Sequence, residues 1–146
     1  MARVFLDANV FLYAIGGFGP HCEPCCSVFA AVAGGKIDGV TSTEVLQEVL
    51  QEVLHVRARR ADLTDAASAV RSAAALVTEV LPVALADILT ACQMLDAHPK
   101  VGARDAVHAA VMSNAGIATI VSVDKDFDVF KHLQRMTPHK ALAATP

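Results

Sequence analysis

The chain has 146 residues, 54% hydrophobic and only 5% aromatic with no tryptophan, a profile that excludes disorder and leaves Ala, Val and Leu to fill one compact core. No apolar run approaches the roughly 18 residues of a membrane span, and Asp7 interrupts the N-terminal stretch MARVFLDANVFLYAIGG, which argues against a signal peptide and for a cytoplasmic protein. The formal net charge of −3 excludes nucleic-acid binding by overall charge and leaves only local basic clusters, Arg57, Arg59 and Arg60 in one and Lys125, Lys131, Arg135 and Lys140 in another.

In chain order, ARVFL (2–6) reads as a buried strand that delivers Asp7. Asn9 is expected to cap a brief helical turn, VFLYA, before the breaker GGFGP. A helix follows from about Cys22 to Ala33, ended by Gly34–Gly35. It contains HCEPCC, in which Cys22, Cys25 and Cys26 form one knot with no matching downstream pair beyond Cys92. A structural zinc site needs two such pairs, so the thiols read as small reduced hydrophobes and Pro24 as a helix-start residue. IDGVTS (37–42) is a second strand, leading into the helix TEVLQEVLQEVLHV, which runs to about Arg60.

The segment LTDAASAVRSAAALVTEV (63–80) reads as a helix opened by Thr64, with a short extended piece, EVLPV, at its end. ALADILTACQMLDAH (84–98) is helical up to Pro99, and ARDAVHAAVMSNAG (103–116) is a helix ended by Gly116. ATIVSV (118–123) is a strand that delivers Asp124. A short helical turn and an extended piece near 135–138 finish the chain. Alternating strands and helices imply a parallel sheet with right-handed crossovers, and one domain over residues 1–146 accounts for everything.

Ligands of open α/β sheets sit beyond the carboxyl ends of the strands. Asp7 and Asp124 follow strands directly, and Asp105 opens a helix able to reach the same edge. A glutamate of the 43–56 helix would make four carboxylates. Such a cluster raises its own pKa values unless a cation compensates, and oxygen ligands select Mg²⁺ or Mn²⁺. Water activated by that metal attacks phosphodiesters, so phosphodiester hydrolysis is the chemistry implied.

FLDANVFLYA, STEVLQEV, ARDAVHAAV and IVSVDKDFD resemble, in order and spacing, the four acidic signatures of PIN-domain nucleases, most closely VapC-type toxins of bacterial toxin–antitoxin pairs. The resemblance runs from Arg3 to about Pro138. It implies a three-layer α/β/α sandwich with a mainly parallel central sheet and metal-dependent endoribonuclease activity on RNA. It also implies a homodimer held inactive by a small antitoxin protein. Its site roles fall on Asp7, Glu48, Asp105 and Asp124 as catalytic and metal-holding acids, with Asp126 a contender for the last. Asn9 and Ser122 match the supporting polar positions.

Rival readings are weaker. A haloacid-dehalogenase-type Asp7 would want an acid at position 9, which is Asn, and a receiver-type phosphoacceptor would not place Lys125 directly after Asp124. A non-toxin RNA-processing PIN nuclease and a non-catalytic PIN-like binding module remain as alternatives. Within the glutamate helix, Glu44 stands three residues after Thr41, the spacing of a capping box. The apolar edge of Val45, Val49 and Val56 lies nearer Glu52 than Glu48 on a helical wheel, whereas the family motif selects Glu48.

Overall fold

In the computed structural model the described residues are 1–16, 19–59 and 65–146, with the backbone alone for 56–59. Five strands pair in parallel in the order β3-β2-β1-β4-β5: β1 Arg3–Leu6, β2 Asp38–Ser42, β3 Glu79–Leu81, β4 Thr119–Val121 and β5 Gln134–Met136. Consecutive residues toward the carboxyl ends of the central strands are buried, Phe5 with Leu6 and Ile120 with Val121. Side chains alternate between faces, so burial of neighbours means that both faces are covered. The covering helices are α1 Ala8–Gly16, α2 Cys22–Ala33, α3 Thr43–Arg59, α4 Ala66–Leu76, α5 Leu85–Ala97, α6 Ala103–Asn114 and α7 Pro138–Ala143. The architecture is the expected α/β/α sandwich.

Small side chains set the helix–sheet distances. Gly39 in β2 lies under α2, where a Cβ would stand 2.7 Å from Val32 Cγ2 and 3.1 Å from Leu6 Cδ1. In α6, Ala106, Ala109 and Ala110 are fully buried, which lets this helix pack closely beside α5 and the core. In α3 the buried stripe is Val45, Val49 and Val53, one residue per turn.

Local departures from expectation have identifiable causes. Asn9 lies inside α1; the turn is capped by Asp7, whose Oδ1 accepts from Ala8 N at 2.8 Å and whose carbonyl accepts from Val10 N. No Thr41–Glu44 capping box forms, because Thr41 Oγ1 donates to Leu6 O across the sheet and Ser42 Oγ accepts the Val45 amide instead. Helix α4 starts after Asp65, which caps it, and stops at Leu76, because Val77 turns extended to enter β3. Thr64, expected to open it, lies outside the described residues. Helix α7 was not expected, although Thr137 caps it and Pro138 fills its first turn. Of the cysteines, only Cys25 is a core hydrophobe; Cys26 and Cys92 are exposed.

Candidate metal and catalytic site

Strand β1 is the point at which the chain changes direction through the sheet, since β2 and β3 lie on one side of it and β4 and β5 on the other. The crevice beyond the carboxyl ends of β1 and β4 is therefore the switch point where such sheets bind ligands. Asp7 leaves β1 there, and Ser122 and Asp124 leave β4. Two groups of potential ligands meet at this edge: Asp7, Glu48 and His108, and Asp105, Asp124 and Asp126, each with ligand atoms within 4.8 Å of one another. The groups are electrostatically coupled, Asp7 acting on Asp105.

Asp7 is buried and firmly held. Its Oδ2 accepts from Ser122 Oγ at 2.7 Å and from Asn9 Nδ2 at 3.1 Å. Ser122 Oγ also accepts from Asn9 Nδ2 and from the Asp124 amide, both at 3.0 Å, so one hydroxyl ties the two strand ends together. Burial pushes the Asp7 carboxyl above its ordinary range, against the lowering influence of the Ser122 bond and His108. Asn9 and Ser122 thus stand where supporting residues were expected.

Glu48 reaches the site from the second turn of α3. Its Oε2 lies 3.1 Å from His108 Nε2 and its Oε1 3.4 Å from Arg104 Nη1. Burial pushes its carboxyl up, but the bond and charge of His108, with Arg104 beside them, outweigh that and hold it below the usual carboxylate range. Glu52, one turn on, lies outside both groups. Among the described residues Glu44 pairs only with Arg104, at 3.9 Å.

Asp105 is different. It is half-buried and its carboxylate accepts no hydrogen bond from any described side chain or amide. Burial, then the like charges of Asp124 and Asp7, push it up to about 6. Asp124 Oδ1 accepts from the Asp126 amide at 2.9 Å, capping the 3-10 turn Lys125–Val129. Asp126 is exposed. Arg135 closes the back of this turn, donating twice to Asp128, at 2.8 and 3.1 Å, and once to the Ser122 carbonyl.

Two participants, His108 and Arg104, escaped the sequence reading. His108 is buried between Phe5 and Phe127, with Nδ1 lacking a partner. Its spacing of three from Asp105 on one helix was the available signal. The sequence does not single out Arg104, and Arg135 stands there only as one member of a local basic cluster, since nothing local shows what either touches. The cluster Arg57, Arg59 and Arg60 lies outside the described side chains.

The profile of the PIN domain matches residues 4–133. The chain belongs to the PIN-domain family. Within that family its relatives are VapC ribonucleases: it is 34% identical to ribonuclease VapC7 of Mycobacterium tuberculosis over 139 residues, 94% of this chain and 93% of the relative. It is 30% identical to VapC ribonuclease Mb1869c of Mycobacterium bovis over 133 residues, covering 91% and 98%. Among solved structures, this PIN domain is similar to VapBC2 of Rickettsia felis bound to a promoter DNA fragment, with a TM-score of 0.70, 16% identity, and 92% and 98% of the two chains covered. It is also similar to M. tuberculosis VapC20, a sarcin–ricin-loop-cleaving toxin, with a TM-score of 0.65, 23% identity, and 86% and 93% covered.

Proposed function

We propose that this VapC-family protein is a metal-dependent endoribonuclease, the toxin of a toxin–antitoxin pair, with residues 1–146 acting as one catalytic domain. The observation that carries the reading is Asp105: an unpartnered, half-buried carboxylate raised to about 6 between two other acids. A carboxyl left in that state fits a site completed by a cation, and an all-oxygen set of carboxylates fits Mg²⁺ or Mn²⁺. Asp7, Asp105 and Asp124 would hold it, with Glu48 alongside and Asp126 at the rim. When bound, the ion supplies positive charge for the phosphate oxygens and activates water for attack on the phosphodiester.

The chain's own residues do the positioning. Ser122 and Asn9 fix the Asp7 carboxylate, and Ser122 holds the Asp124 backbone beside it. His108, locked in the core, orients Glu48 through its Oε2. Arg135 anchors the acidic turn through Asp128. These contacts lock carboxylate directions before substrate arrives, which is the condition for electrostatic catalysis.

The partners we propose are an RNA substrate, a small antitoxin chain and a second copy of the protein, in the cytoplasm. Membership of the VapC family supports the antitoxin. Among the described residues no helix is long and apolar enough to cross a membrane. Controlled induction in a bacterial host tests the toxin reading. Wild type should arrest growth, Asp105→Asn should not, and co-expression of the neighbouring small gene should restore growth. Harmless induction of wild type, with RNA cleavage intact in vitro, would leave an RNA-processing nuclease instead.

A further inference from the structure

Arg104 stands among the carboxylates without being neutralised by any one of them. It precedes Asp105 in the first turn of α6, and its guanidinium lies along α3. Nε is 3.9 Å from Glu44 Oε1, Nη1 is 3.4 Å from Glu48 Oε1, and Nη2 donates to Gln51 Oε1 at 3.0 Å. The Arg104 side chain is 38% exposed, whereas His108, the other partner of Glu48, is 1% exposed. The two oxygens of Glu48 are therefore held unequally, one by an imidazole locked in the core and the other by a guanidinium free to leave.

We propose that Arg104 is a phosphate-binding residue held in reserve on Glu48. It neutralises Glu48 while the carboxylate pocket lacks a cation, and pairs with an RNA phosphate once a divalent cation takes up the charge of Glu48. This inference rests on the ribonuclease reading. A pocket containing Asp7, Glu48, Asp105, Asp124 and Asp126 repels a phosphodiester, so a cation must meet the substrate at its rim. Arg135 does not serve, because its guanidinium is committed to Asp128 and the Ser122 carbonyl and is only 14% exposed. Arg104 has the planar fork that fits phosphate oxygens, and its present ion pairs are long and open to solvent, so exchange is easy.

The exchange makes a signature of opposite signs. The charge of Arg104 competes with a metal ion for Glu48, so its removal tightens metal binding while weakening substrate binding. An arginine that merely supported the fold would weaken both. The experiment uses the full chain and its Arg104→Gln and Arg104→Lys variants. Mn²⁺ binding is measured alone by calorimetry, and kcat and KM on a fluorescent single-stranded RNA at saturating Mn²⁺ over a salt series.

For Arg104→Gln the expected Mn²⁺ Kd falls about fivefold, from loss of one competing charge at short range. KM rises about tenfold with kcat within about threefold, and the log–log salt slope shrinks by about 0.7, one phosphate contact on a single strand. Arg104→Lys keeps Mn²⁺ binding near wild type and has an intermediate KM. Unchanged or weaker Mn²⁺ binding in Arg104→Gln overturns the reserve on Glu48, and an unchanged KM and salt slope overturn the phosphate contact. If wild type itself binds no Mn²⁺, the metal-dependent reading falls first and this inference with it.

Discussion

Removing the carboxylate of Asp105 should stabilise the metal-free protein while destroying its activity. The carboxyl lies at 3.8 in an unstructured chain and about 6 in the fold. Its folded-state pKa is the higher one, so the native state holds the proton more tightly. The favourable contribution is full below the unfolded value and is lost as pH rises through about 6, leaving ionised Asp105 a burden above it. The rise from 3.8 to about 6 corresponds to about 3 kcal/mol at most, and partial solvent access reduces this to about 1–2 kcal/mol. Asn cannot ionise and keeps the volume. In urea titrations with chelator, Asp105→Asn should therefore exceed wild type by that amount at pH 8, the gap narrowing as pH falls below about 6 and closing near 3.8. In thermal melts the gain is about 2–4 °C per kcal/mol for a chain near this size. Adding Mn²⁺ at about 100 times its Kd should stabilise wild type by about 2.7 kcal/mol and the variant far less. If Asp105→Asn is no more stable than wild type at pH 8 in chelator, Asp105 is not a strained carboxylate awaiting a cation.

Substitutions at Glu48, Glu52, His108 and Gly39 probe the surroundings. Glu48→Gln should abolish cleavage and Glu52→Gln should leave it within about twofold in the same RNA assay; the reverse would put the helical acid one turn later. His108→Phe should cut kcat at least about tenfold by leaving Glu48 Oε2 without its donor, a loss in the range for a positioning hydrogen bond. His108→Gln, which returns a donor, should recover part of it; full activity in the Phe variant would make His108 a packing residue only. Gly39→Ala should destabilise by about 1–3 kcal/mol through overpacking against Val32. Adding Val32→Ala should relieve it in denaturant titrations, and failure of that rescue would refute the close approach as the cause.

The strands were legible because a doubly covered parallel sheet needs unbroken apolar runs, and ARVFL and ATIVSV are such runs ending in acids. Glu48 was not legible from periodicity. The wheel compares angles around α3, but the distance along its axis decides. Helix α3 starts where β2 ends, so Glu48 lies about 7 Å from its first residue and Glu52 roughly 14 Å, beyond the edge where Asp7 sits. His108 was not legible because its partner comes from α3, 60 residues earlier. The capping box at Thr41 failed for a similar non-local reason, the Leu6 carbonyl being the better acceptor. Long-range partners are what a linear pattern omits.

The central claim is that these carboxylates hold a metal for RNA cleavage. Its most direct test is cleavage of a mixed single-stranded RNA pool by purified wild type and Asp105→Asn, in Mn²⁺ and in chelator. The account predicts internal cuts by wild type in Mn²⁺ alone, with chelator and the substitution each reducing the rate by at least about a hundredfold. Cleavage that persists in chelator, or that Asp105→Asn retains in full, would contradict it.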